Sequence, residues 1–423
     1  MNPLLAALVI LAGGYLLTYL VFDRLRRQFG YVGGAEYVLL GVFLGPSGSG
    51  LFDPAAVRDL TPVACVALGW IGVYLGTRIR LREWIGVPPS HLGIAFSEAG
   101  TTWVVAAGAI WLLMRHGLGI VPEQALLPTL ALAAVAVAGA PHAIDALAGR
   151  TAGAHPLWPL VRTVSSIDAV IGVTTFGLAM AILHIGDVQP GVRPPTGTEW
   201  GVINIAVGTI SGLLFHLFLG PAATGLEHDA AAEAGGDSRL FIALVGAIVI
   251  ASGTAYSLNL SPLFTTFLLG VVLGNSAQAH VGLERLIAKT VQPVYLILLI
   301  FAGAAWRSSA GHLIWFAFAF VGVRLVARLI GGRVGGTASD DPALHAPWLG
   351  RALMTQGGLG VAIALDYAQT PGAPGANLVL TASLLSILLF EWVGARETIN
   401  ALGGGTTAEM PVPVAAAGQG GAA

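Results

Sequence analysis

Residues 159–184 read PLVRTVSSIDAVIGVTTFGLAMAILH, an apolar and small-residue run broken by one carboxylate, Asp168. A helix of roughly 17–25 residues crosses about 30 Å of hydrocarbon, so this run is long enough to span a bilayer. An aspartate inside a span costs roughly 2.5–3.5 kcal/mol on insertion scales, and such acids as a rule face a water-filled cavity and mark an ion or proton path. Ser165, Gly172 and Thr175 lie at helical spacings from Asp168 and give one small, polar stripe. Hydroxyls and a carboxylate on one face suit a hard monovalent cation, with Asp168 as the ligand. The competing reading is an aspartate that only pairs with a charge on a neighbouring helix.

The rest of the chain shares that solvent. Of its 423 residues 55% are hydrophobic and only 10% charged, and the mean hydropathy is +0.79, against roughly a quarter charged in a soluble domain. Fifty-eight glycines, twenty-three prolines and ten tryptophans fit helices packed in a bilayer with aromatic residues at its interfaces. The single cysteine, Cys65, excludes an internal disulfide framework and a CxxC metal site. A net charge of −2 with scattered basic residues gives no nucleic-acid footprint. No GxxxxGK[ST], HExxH or GxGxxG in a βαβ context occurs, so the chain reads as a carrier rather than an enzyme, with no cofactor, driven by an ion gradient.

Thirteen apolar runs qualify as spans: 3–22, 36–52, 62–78, 91–114, 126–148, 157–184, 200–219, 239–257, 262–279, 291–306, 312–331, 349–368 and 376–396. The first lacks a small-residue cleavage site and is expected to be retained. An outside N-terminus places fourteen Lys and Arg residues on the cytoplasmic side and four, Arg58, Arg115, Arg193 and Arg307, outside. The C-terminus is then cytoplasmic, in an inner membrane. The loop 221–239 and the tail from 401 to 423 read as a polar connector and a disordered end. Six spans, a linker and six spans give the inverted-repeat plan of secondary transporters.

Three further segments carry chemistry. Span 5 contains Gly139-Ala140-Pro141-His142, where Pro141 removes a backbone donor and predicts a break. Span 12 contains Gln356-Gly357-Gly358, a second interruption at the matching place in the other half. Paired breaks expose half-helix ends to an ion, and a kink with a glycine packing face is the plainer alternative. Span 11 carries Arg324 and Arg328 at i, i+4, on one face. Arginines at that depth need a carboxylate, for which Glu98 in span 4 is the candidate; snorkelling is the alternative for Arg328. Asp366 and Glu391 read as interfacial. His142 and Asp145 either line the break or sit in the cytoplasmic half.

In order and position these segments resemble the monovalent cation:proton antiporter superfamily, which includes Na⁺/H⁺ exchangers and glutathione-gated K⁺ efflux proteins. EYVLLGVFLGPSGSGLFD and LGWIGVYLGTRIRL look like the family's second and third helices. SSIDAVIGV is similar to the exchanger stretch whose Asn-Asp pair binds the ion, and ARLIGG is similar to the segment whose Lys or Arg contacts the ion-site region, at Arg328. Three features depart from the pattern. Ile167 stands where exchangers have Asn and the electrogenic branch a first Asp. Gly139-Ala140-Pro141 replaces Thr-Asp-Pro, and no Arg accompanies Gly357 and Gly358. With the crossing charges gone, hydroxyls, water, His142 or Gln356 are left to compensate the half-helix dipoles.

The resemblance implies an all-α membrane protein with two discontinuous crossing helices and a homodimer. Residues 1–90 and 239–307 would be scaffold, 91–184 and 308–400 a moving core, and 185–238 a linker. It implies exchange of one monovalent cation, Na⁺ or K⁺, for one proton at Asp168, with Ser165 and Thr175 beside it and Arg328, Arg324 and Glu98 as charge partners. A cation channel, a carrier of another small solute and a subunit without transport are the other readings.

Overall fold

The computed structural model describes residues 34–150, 157–186, 193–223, 230–276, 281–308, 311–338 and 348–402, which form helices and no strand. In chain order these are α1 (Ala35–Leu44), α2 (Pro54–Asp59), α3 (Thr61–Thr77), α4 (Leu81–Ile85), α5 (Pro89–Leu112) and α6 (Pro122–Val137). Then come α7 (Pro141–Arg150), α8 (Trp158–Ile182), α9 (Gly197–Ala223), α10 (Ala230–Ser257) and α11 (Pro262–Asn275). The chain continues through α12 (Val281–Ala305), α13 (Gly311–Thr337), α14 (Leu349–Ala352), α15 (Leu359–Gln369) and α16 (Ala376–Ala401). Seven spans among them are long and apolar enough to cross a membrane, and the bent α16 makes an eighth if taken as one span. The chain is a multi-pass membrane protein. Each expected span from 36–52 onward falls wholly or partly on a helix or a broken helix pair. The expected first span lies outside the described residues, as do 224–229 of the expected loop and 403–423 of the expected tail.

The two expected interruptions are real gaps. α6 stops at Val137 and α7 starts at Pro141, whose ring excludes an i→i−4 hydrogen bond and holds the preceding residue out of the helical region. α14 stops at Ala352 and α15 starts at Leu359. A Cβ on Gly139 would meet the backbone oxygen of Ser165 and lie 3.0 Å from Cβ of Asp168. The glycine therefore lets the first gap press directly onto α8 at the level of its carboxylate.

Packing follows an exchange of halves. α3 packs on α11 and α1 on α12; α5 packs on α13 and α6 on α15. α8 packs on α5 and α6 as α16 packs on α13 and α15. These contacts exchange with one another when spans 2–6 are swapped for spans 9–13, as a structural repeat requires. The apolar core runs through these crossings, with Leu132, Val173, Phe176, Leu263, Phe264 and Phe320 all buried.

Asp366 and Glu391, expected near the interfaces, are packed inside the protein: they are only 1% and 6% exposed. Asp366, on α15, accepts hydrogen bonds from Ser261 Oγ at 2.7 Å and from the Leu263 N–H at 3.0 Å. Ser261 Oγ in turn accepts from the Phe264 N–H at 3.0 Å. These bonds satisfy the orphan donors at the start of α11, where lipid offers no replacement. Asp366→Ala is expected to lower stability by about 1–3 kcal/mol, the cost of unsatisfied buried donors, and Asp366→Asn by less. Thermal melting in detergent measures both; an unshifted Asp366→Ala melt contradicts the capping role.

Candidate functional site

The α13 helix brings two arginines to the gaps. Arg324 and Arg328 are one turn apart and both are fully buried. Arg328 Nη1 donates to Asp168 Oδ2 at 2.6 Å and to Glu98 Oε1 at 3.1 Å. Its Nη2 donates to the Val137 carbonyl at 2.6 Å. Val137 is the last residue of α6, so the guanidinium also meets a carbonyl left open by the first gap. Arg324 repeats the device at the second gap: Nη1 donates to the Met354 carbonyl at 3.2 Å, and the guanidinium carbon lies 4.3 Å from the Phe390 ring centre. A cation at a helix C-terminus is favourable because the exposed carbonyls carry partial negative charge.

The two uncharged gaps noted in the sequence are thereby accounted for; nothing in the structure explains Ile167. The charge that compensates the half-helix ends comes from α13 rather than from the gaps, and it comes twice. The carbonyls of Val137 and Met354 were missed in the sequence because any residue carries one. Thr102 was missed too: its hydroxyl reaches Glu98 Oε1 at 2.9 Å and the Ala327 carbonyl at 3.3 Å. Its place four residues after Glu98 was the available signal.

Asp168 and Glu98 are both fully buried, and both are ion-paired to one nitrogen, Arg328 Nη1. Each keeps one oxygen, Asp168 Oδ1 and Glu98 Oε2, that is buried and has no hydrogen-bond partner among the described residues. Ser165 is 2% exposed and its hydroxyl faces Gly139. Thr175 stands apart: seven residues on, it is about 10 Å along the helix axis, and its hydroxyl donates to the Ile171 carbonyl at 2.7 Å. The structure thus gathers Asp168, Glu98, Arg328, Arg324 and Ser165, and leaves Thr175 outside the cluster.

A cavity of about 390 Å³ lies across the Gly139 gap from Asp168. Its walls include Gly139, Ala140, Pro141 and His142 from one gap and Gln356, Gly357 and Gly358 from the other. Gln356 is 1% exposed and its Oε1 accepts from Ser386 Oγ at 2.6 Å. Tyr74 stacks on His142 with ring centres 4.8 Å apart, and its hydroxyl bonds the imidazole. A second cavity of about 420 Å³ shares Tyr74, Pro141 and Ala288 with the first. It reaches Asp145, which accepts from Arg162 Nε at 2.5 Å and pairs with Arg78 at 3.5 Å. Through their shared walls the two cavities mark a route from the face carrying Arg78, Arg162 and Asp145 to the crossing, polar at its mouth and mostly apolar within.

No family model matches the chain. The iron transporter MagA of Paramagnetospirillum magneticum (strain ATCC 700264 / AMB-1) is 26% identical over 304 residues, covering 70% of this chain and 61% of that protein, so the chain spans less than two thirds of its relative's length. The structure of the sodium proton antiporter MjNhaP1 from Methanocaldococcus jannaschii at pH 8 is similar with a TM-score of 0.64 and 13% identity, over 95% of this chain and 100% of that one. The chain has a cation:proton antiporter-like fold.

Removing one partner of a buried ion pair strands the other and costs about 3–5 kcal/mol. Arg328→Met is therefore expected to destabilise the protein by about that much, and adding Glu98→Gln should recover part of the loss. Melting of the single and double variants tests this. Equal losses in the two would contradict the shared ion pair.

Proposed function

We propose that the protein is a secondary active antiporter that exchanges a monovalent cation, Na⁺ or K⁺, for a proton by alternating access, with Asp168 as the carrier. The observation that carries the reading is the buried pair of Asp168 and Arg328, set against a gap in a crossing helix. Asp168 is held by Arg328 at 2.6 Å, a tethered positive charge in the place of a transported one. A cation arriving through the Tyr74 and Pro141 route competes with that guanidinium and with protons for the same carboxylate, and mutual exclusion gives exchange. Ser165 supplies a hydroxyl near the bound ion. Residues 91–184 and 308–400 would move against the scaffold, residues 1–90 and 239–307, within a homodimer. The basic bias supports an outside N-terminus and a cytoplasmic C-terminus in the inner membrane.

The fold shared with a sodium proton antiporter supports this class of transport. The relative named as an iron transporter favours a second reading, in which the same scaffold carries iron. The donor set speaks against it here. Transition metals favour imidazole and thiolate donors, whereas the cluster offers carboxylates and hydroxyls, and no group of three His, Cys, Asp or Glu residues suited to a metal occurs among the described residues.

Asp168→Asn keeps the size and a hydrogen-bonding oxygen but neither titrates nor carries charge. In proteoliposomes with a pH dye it is expected to abolish cation-driven proton flux and cation-induced thermal stabilisation. Asp168→Glu should keep weak exchange with a shifted pH optimum. The panel is Na⁺, K⁺, Li⁺ and Fe²⁺: wild-type exchange in Asp168→Asn would refute the carrier, and flux with Fe²⁺ alone would favour the second reading.

A further inference from the structure

We propose that Glu98 is the second half of the carrier: Glu98 and Asp168 together hold one proton, or one cation in its place, and Arg324 sets how tightly. The proposal rests on the exchange reading and adds a residue to it. Both carboxylates bond the same atom, Arg328 Nη1, at 3.1 and 2.6 Å. Their inner oxygens are therefore no farther apart than those two bonds end to end. Their outer oxygens, Glu98 Oε2 and Asp168 Oδ1, are both buried acceptors with no donor among the described residues. One proton shared between two such carboxyls provides the donor that neither has, and the pair then titrates as a unit.

The groups facing the pair fix its charge. From α5 comes the Thr102 hydroxyl, from α6 the Val137 carbonyl, from α8 Ser165, and from α13 Arg324 and Arg328. With both acids ionised, two carboxylates and two arginines sum to zero. One proton or one monovalent cation brings the cluster to +1, and a second proton would bring it to +2, buried and without a counter-ion. The two loaded states carry equal charge, so one proton leaves per cation bound and the exchange moves no net charge. The sequence implied the same stoichiometry from a lone carboxylate; here two acids arrive at it because two arginines oppose them. In each cycle the carboxyl O–H breaks, its proton passes to water in the open cavity, and the carboxylate takes the cation.

Glu98→Gln retains an oxygen for Arg328 and Thr102 and removes one negative charge. Proton and cation should both bind more weakly: the pH of half-maximal exchange falls by about one unit, and KM for Na⁺ at fixed alkaline pH rises about ten-fold. Arg324→Gln should move both quantities the other way, and Arg324→Lys should restore them, which a purely packing role for Arg324 would not do. A wild-type pH profile and KM in Glu98→Gln overturn the proposal while leaving Asp168 as sole carrier. Should Glu98→Gln not fold, Thr102→Val keeps both acids and deletes a donor to ionised Glu98. Its half-maximal pH is then expected to rise, and an unchanged profile counts against the pair. Infrared difference spectra between acid and alkaline pH judge the pair without transport. A protonated-carboxyl band whose frequency shifts and whose titration midpoint falls in both Glu98→Gln and Asp168→Asn supports it; a band of wild-type frequency and midpoint in Glu98→Gln overturns it, whatever the flux assays say of exchange.

Discussion

A guanidinium buried in a membrane protein has to be neutralised and hydrogen-bonded at once, and Arg328 finds both at its two Nη groups, with Asp168, Glu98 and the carbonyl of Val137. The partners sit on three helices, α8, α5 and the end of α6, and a fourth, α13, brings the arginine. The position of the first gap, the closeness of α5 to α13 and the small residues along α8 all serve this contact. Gly139 is the clearest instance, since a side chain there would push the gap away from α8 at Asp168.

Arg324 extends the same logic to the second gap through the Met354 carbonyl. Broken helices leave carbonyls that lipid cannot satisfy, and the usual remedy is a charge within the break. Here one helix supplies a charge to each break from outside. The breaks themselves then carry no charged side chain, and His142, Gln356, Tyr74 and Glu391 line the space beside them. Asp366 does similar work for the start of α11, where its carboxylate takes the donors that open that helix.

Much of this was legible in the sequence. Asp168 stood out because burying an acid in a span is expensive, and the gaps stood out because Pro141 and the Gly357-Gly358 pair leave the helix few ways to continue. Glu98 followed as the acid within reach of two intramembrane arginines. What could not be read were contacts whose partner is backbone, since Val137 and Met354 offer carbonyls that no side-chain pattern reveals. The capping role of Asp366 was hidden for a related reason: at the end of an apolar run it reads as an interfacial acid, and only the arrival of Ser261 and Leu263 from about a hundred residues earlier shows it as a buried cap. Thr175 fits the helical stripe of Asp168, yet a stripe two turns long passes beyond the reach of a single ion.

The account stands on a cation taking the place of Arg328 at Asp168, and the most direct measurement is an anomalous-diffraction or cryo-electron microscopy map of the protein at alkaline pH with rubidium or thallium as the transported ion. It predicts density against Asp168 and Glu98, near Ser165, with the Arg328–Asp168 bond lengthened. Density confined to the cavity beside Gln356 and His142, with the Arg328–Asp168 pair intact, would contradict it.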